Sequence, residues 1–100
     1  MSPNEKTQRR RLDVARAMTA LSHPRRVAIF EALLETGGAG LNFEGLLKAT
    51  SLRRSSLAHH VRPMESAGLI RRRRKGVEVA FALHGAHVKA VADGVAKRLT

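Results

Sequence analysis

The sequence predicts a mainly α-helical domain with a helix-turn-helix at its centre and a β-hairpin behind it. Three observations predict this. Leu57, Val61 and Met64 recur at spacings of four and three, which is one buried stripe of a helix. Gly68 stops that helix, and Val77, Val79, Phe81 and Leu83 then alternate with Glu78, Ala80 and Ala82, the period of a strand. Eight of the nineteen Lys and Arg residues fall between Arg53 and Lys75, against a single acid, Glu65.

The elements follow in order. Residues 1–5 are expected to be a flexible N-terminus, and 6–100 a single domain, about as much chain as one modest core can use. The first helix is expected over Lys6–Leu21, with Leu12, Ala15, Met18 and Leu21 at helical spacing and a basic start at Lys6, Arg9, Arg10 and Arg11. Ser22-His23-Pro24 breaks it and starts the next, since proline is tolerated in a first turn; His23 reads as a cap. The second helix runs to about Thr36 with Val27, Phe30, Leu33 and Leu34 inward, and Gly37-Gly38 ends it. Asn42 is a good N-cap for a short third helix to Thr50, with Phe43, Leu46 and Leu47 on its core face. Gly45 inside it costs about 1 kcal/mol against Ala. Ser51-Leu52 is the turn to a fourth helix, and the basic face on this second partner makes the pair a helix-turn-helix.

On that fourth helix Arg53, Arg54, Ser55, Ser56, Ala58, His59 and Arg62 are left facing outward. Arg, Ser and His side chains on an exposed helix face have the donors to read base edges in a DNA major groove. The base-reading set is Arg53, Arg54, Ser55, Ser56, His59 and Arg62, and of the pair His59-His60 one imidazole faces DNA and the other is half-buried. Pro63 removes one helical hydrogen bond at a cost of about 3 kcal/mol, so the helix either kinks there or ends its reading part before it. A strand over Leu69–Arg74, a turn at Lys75-Gly76 and the alternating strand then form the hairpin. Its cations Arg71, Arg72, Arg73, Arg74 and Lys75 suit phosphates. The last helix spans about Ala86–Leu99, with Val88, Val91, Ala92, Val95 and Leu99 on one apolar stripe. The other elements can close a core without it, so that stripe and the Leu12/Ala15 side of the first helix are expected to bind a second copy of the chain.

The net charge of +11 and pI near 11.8 point to a polyanionic partner, nucleic acid before membrane. No apolar run reaches the ~20 residues of a membrane span, and no secretory stretch follows the basic N-terminus; a cytoplasmic, nucleoid-associated location is expected. With no Cys, disulfides, thiolate metal sites and thiol switches are excluded. RNA is the alternative partner, but sequence-specific RNA readers stack bases on aromatic side chains, and Phe30, Phe43 and Phe81 all sit on core-facing stripes. No phosphate-cradling Gly loop or nucleophile elbow suggests an enzyme, and no cofactor is expected.

Ala20-Leu21-Ser22-His23-Pro24-Arg25-Arg26 with Ile29-Phe30, then Ser55-Ser56-Leu57-Ala58-His59-His60-Val61, Ala67-Gly68-Leu69-Ile70 and Gly76-Val77-Glu78-Val79, in this order, resemble the arsenical-repressor (ArsR-like) family of transcription regulators over residues 12–99. The resemblance implies a winged helix-turn-helix of four helices, a two-stranded wing and a fifth helix. It implies a bacterial regulator of repressor type, dimeric through its first and last helices and binding an imperfect DNA palindrome, with Arg53–Ser66 reading DNA and Leu69–Leu83 as the wing. Two positions depart from the family pattern: Arg53 stands where a capping Ser or Asp is usual, and Pro63 where an aliphatic residue is usual. The family's thiolate metal site needs Cys where this chain has Phe43-Glu44-Gly45-Leu46-Leu47. Its site on the last helices needs an Asp and a second His where this chain has Gly85 and Arg98, beside His87. His84 and His87, three apart, are therefore not expected to form a dedicated metal sensor. Neither metal nor thiol oxidation is expected to control the protein, which leaves its abundance, or an unknown small molecule or protein effector.

Overall fold

The computed structural model describes residues 2–99. The first helix, α1, spans Pro3–Ala20 and starts earlier than expected, so residues 3–5 lie within it. The reason is local: the Ser2 hydroxyl accepts from the Glu5 N–H at 3.2 Å, Pro3 occupies the first turn, and an acid sits near the positive helix end. Helix α2, Pro24–Leu34, is capped by His23, whose Nδ1 accepts from the Arg25 N–H at 3.1 Å. A two-residue strand β1, Leu41–Asn42, precedes α3, Phe43–Thr50, and Asn42 caps α3 through the Gly45 N–H at 2.8 Å. Helix α4 spans Arg54–Ser66, and the hairpin β2, Ile70–Lys75, and β3, Glu78–Leu83, leads to α5, Gly85–Leu99.

The three strands are antiparallel in the order β1-β3-β2. β1 carries no periodic pattern, and the sequence did not reveal it. Its pairing makes β3 the central strand, which is why Ala80, Phe81 and Ala82 are all buried and the expected alternation fails there. The approach to β1 requires Gly40: at φ +74° a Cβ would lie 2.2 Å from the Phe81 carbonyl oxygen. Val77, expected on the core face of the strand, stands in the hairpin tip with its side chain fully exposed.

Helix α4 runs without a break through Pro63 to Ser66. Its end is a Schellman arrangement, with Leu69 N–H on the Met64 carbonyl at 3.0 Å and Gly68 N–H on that of Glu65 at 2.9 Å, and Gly68 takes the left-handed φ of +77° that this turn requires. Leu57, Val61 and Met64 are buried as their spacing predicts, and join Ile29, Leu33, Leu46, Ile70 and Phe81 in the main core. Burying each such side chain contributes about 1.5–3 kcal/mol, so this cluster is what holds α4 at its angle.

Two stripes differ from the sequence reading. In α2 the inward pair is Ile29 and Leu33, while Val27 and Leu34 are exposed. In α1 it is Ala17 and Ala20 that are buried, against Leu69 with Val88 and Val91 alongside, and Leu12 and Met18 are 52% and 59% exposed. Small side chains let α1 approach the α4–β2 turn closely, and its larger apolar residues are left pointing away. No residue of α5 is fully buried.

Candidate nucleic-acid interface

An α-helix advances about 100° per residue, so Ser55, His59 and Arg62 share one outward face of α4 opposite Leu57, Val61 and Met64. Ser55, His59 and Arg62 are exposed, and Ser56 is half-buried at the edge of that face. Arg53 is the N-cap residue and makes no capping bond through its side chain. Arg54 is held back: it forms an ion pair with Glu44 of α3, and its guanidinium lies 5.7 Å from the Phe43 ring centroid. That pair ties the two helices of the motif together. Of the six residues assigned to base reading, the structure therefore leaves Arg53, Ser55, His59 and Arg62 free at the surface.

The wing cations divide in the same way. Arg72 donates to both Glu65 carboxylate oxygens, at 3.0 and 3.2 Å, and lies 5.3 Å from the Phe81 ring centroid. The bond to Glu65, and then its charge, hold the Arg72 guanidinium above its ordinary pKa, so wing and reading helix are joined by a charged clasp. Arg73 donates to the Gly38 carbonyl oxygen, which pins the wing to the loop before β1. Arg71, Arg74 and Lys75 are exposed and, among the described residues, have no ion-pair or hydrogen-bond partner.

His60 is buried, 5% exposed, rather than half-buried. Its Nδ1 accepts from Arg26 Nε at 3.1 Å, and its ring lies 4.6 Å from that of His23 and 5.3 Å from that of His59. Burial lowers its pKa most, and the neighbouring His23, Arg26, His59 and Arg25 lower it further. Sequence reasoning missed this contact, as it missed Glu44, Glu65 and Gly38 as partners of the cations. The helix-cap reading of His23 was the one signal that pointed to the α2 end of the site.

His84 and His87 stack with centroids 5.9 Å apart. The His87 Nε2 is buried against Gly68 and, among the described residues, has no hydrogen-bond partner. Among the described residues no three His, Cys, Asp or Glu side chains cluster so as to hold a metal. On the far side of α1 and α5 an apolar hollow of about 360 Å³ is lined by Met18, Leu21, Val88, Val91, Val95 and Leu99, among others. Leu12 and Ala15 are exposed on α1, and Ala92 is exposed on α5 beside the hollow.

A family model described as a helix-turn-helix domain matches residues 21–73, the stretch from the α1–α2 junction into the wing. The chain belongs to this helix-turn-helix family. Its structure is that of ArsR-family winged helices. It is similar to the homodimeric winged helix-turn-helix DNA-binding domain of an ArsR-type protein from Mycobacterium bovis, with a TM-score of 0.71, 20% identity and coverage of 99% of this chain and 85% of that one. An ArsR-like transcriptional regulator from a Rhodococcus species superposes with a TM-score of 0.70 at 23% identity, over 86% and 78% of the two chains. The transcriptional repressor BigR from Xylella fastidiosa gives 0.68 at 22%, over 95% and 92%. No curated protein sequence matches the chain. The ArsR-family transcriptional regulators that it resembles in fold are non-enzymatic DNA-binding proteins. No helix among the described residues is long and apolar enough to cross a membrane.

Proposed function

We propose that this helix-turn-helix protein is a cytoplasmic transcriptional regulator, of repressor type, that binds an imperfect DNA palindrome as a homodimer. The observation that carries the reading is the α4 surface: a polar face of Ser55, His59 and Arg62, flanked by a wing whose Arg71, Arg74 and Lys75 are uncommitted. Ser55, Ser56, His59 and Arg62, with Arg53 at the cap, carry sequence preference, and Arg54 contributes by fixing α4 against α3. The wing cations supply backbone affinity. RNA fits less well, because Phe43 and Phe81 pack on each other at 6.5 Å and offer no stacking platform.

The dimer is formed through α1 and α5, where Leu12, Ala15, Val88, Val91, Ala92, Val95 and Leu99 give the apolar surface. A chain that exposes Leu12 and Met18 on α1 and Leu99 on α5 gains by covering them. Control does not run through metals or thiol oxidation: the chain has no cysteine, and Gly85 and Arg98 stand at family ligand positions. The test is selection from a random duplex pool with the full chain. Expected is a two-fold related motif with half-sites about one helical turn apart, about 34–36 Å; recovery of no motif, or preference for single-stranded RNA competitor, overturns the reading.

A further inference from the structure

The contact between Arg26 and His60 joins the first turn of α2 to the middle of α4, 34 residues apart in sequence. Because Nδ1 accepts the Arg26 Nε–H, His60 is a neutral imidazole with its proton on Nε2. Arg26 spends only Nε on this bond. Its four Nη hydrogens meet no acceptor among the described residues, and its half-buried side chain borders a shallow hollow shared with Arg16, Thr19, Pro63 and Ser66. At about 100° per residue, the Ser55–His59–Arg62 face of α4 has Glu65, and through it the wing, on one side. His60 and Arg26 lie on the other.

We propose that Arg26 contacts the DNA backbone on the flank of α4 away from the wing, and that neutral His60 is the residue that positions it. This rests on the reading of α4 as a duplex-binding helix. A major groove about 12 Å wide admits one helix, so phosphates rise along both of its flanks. The wing's Arg71, Arg74 and Lys75 meet one strand, and on the other flank the planar Nη pair of Arg26, with Nε already anchored, presents two parallel donors to a phosphate.

The arrangement carries a proton dependence. A doubly protonated His60 has no acceptor lone pair, and it faces Arg25 and Arg26 of α2, the His23 ring at the α2 cap and His59 of its own helix, while Arg16 of α1 lines the same hollow as Arg26. The charges that act on it are all cationic or imidazole, with no carboxylate among them. Its folded pKa lies below the ordinary value of about 6.5. The neutral, bonded state is therefore complete above that ordinary value and is lost as pH falls through the lowered one.

The experiment is fluorescence anisotropy of the full chain with its selected duplex and a random duplex, over 50–200 mM salt and from pH 7.5 to 5.5. Arg26→Ala is expected to weaken both duplexes alike at pH 7.5 and to make the log K against log salt slope shallower by about one unit. His60→Leu should reproduce that loss. His60→Asn, which keeps an acceptor where Nδ1 was and cannot be protonated, should retain the wild-type slope. Wild type and His60→Asn differ at this one side chain, so their comparison isolates His60. On acidification the wild-type slope should converge on that of Arg26→Ala, and that of His60→Asn should not. If wild type binds duplex and Arg26→Ala leaves the slope unchanged, or if His60→Asn shows the shallower slope of Arg26→Ala at pH 7.5, the proposal is overturned alone. If wild type binds no duplex, the duplex reading falls and takes the proposal with it. Thermal melts identify any variant that fails to fold; should His60→Leu do so, Arg26→Ala and His60→Asn decide.

Discussion

Replacing Glu65 by Gln should make the protein bind DNA more tightly. The Glu65 carboxylate holds Arg72 through two bonds of 3.0 and 3.2 Å and carries the only negative charge between Arg53 and Lys75. Glu65→Gln releases one wing cation and removes a carboxylate from beside the bound phosphates. Each phosphate neutralised steepens the salt slope by about 0.9. Between 50 and 200 mM a released Arg72 therefore adds a salt sensitivity of about 4 to the power 0.9, or about 3.5-fold. The fold survives, because the Arg72 side chain is 60% exposed and a solvated pair of this kind contributes about 0.2–1 kcal/mol. Anisotropy titrations at four salt concentrations measure the slope for wild type, Glu65→Gln, Arg72→Ala and the double variant. The steepening should appear with random duplex too, and vanish when Arg72 is also removed. An unchanged or shallower slope in Glu65→Gln would refute the reasoning, since it would mean that the clasp orders the wing for binding rather than withholding a cation from it.

Other outcomes follow from the same geometry. Val91→Asp places a charge in the apolar hollow between α1 and α5 and should both dissociate the dimer, read by sedimentation equilibrium at micromolar concentration, and abolish specific binding. Ser55→Ala and His59→Ala should lower the ratio of specific to random binding, at about 1–3 kcal/mol for a good base contact; Arg74→Ala should instead weaken both duplexes and flatten the salt slope by about one unit. Met64→Ala opens a hole in the main core, where Met64 is fully buried, and should cost about 2–5 kcal/mol in urea unfolding. Zinc, nickel, copper, arsenite or peroxide should change operator affinity by less than tenfold, about 1.4 kcal/mol, in a titration of chelator-treated protein.

Local pattern carried the sequence reading where one face of an element meets one core. The stripe Leu57, Val61 and Met64, the stop at Gly68 and the cap at Asn42 each involve residues within a few positions of one another, and the structure holds all of them; the hairpin turn falls one residue later than expected, at Gly76-Val77, with Lys75 still in β2. The outward placement of Ser55, His59 and Arg62 follows from the same periodicity. In α2 the pattern was ambiguous: Val27 and Leu34 are as apolar as Ile29 and Leu33, and only the position of α4 and β3 decides which pair is buried. β1 has two residues and no period, and it exists because β3 offers it an open edge.

The sequence by itself determined that a basic, polar helix face and a cationic hairpin lie next to each other, because helical and strand periods sort side chains before any tertiary contact forms. Only the tertiary structure decided which of those cations are available. Arg54 meets Glu44 ten residues away, Arg73 meets Gly38 thirty-five away and Arg26 meets His60 thirty-four away. Pairings at such separations depend on how α2, α3, α4 and the sheet pack, and no spacing along the chain encodes them.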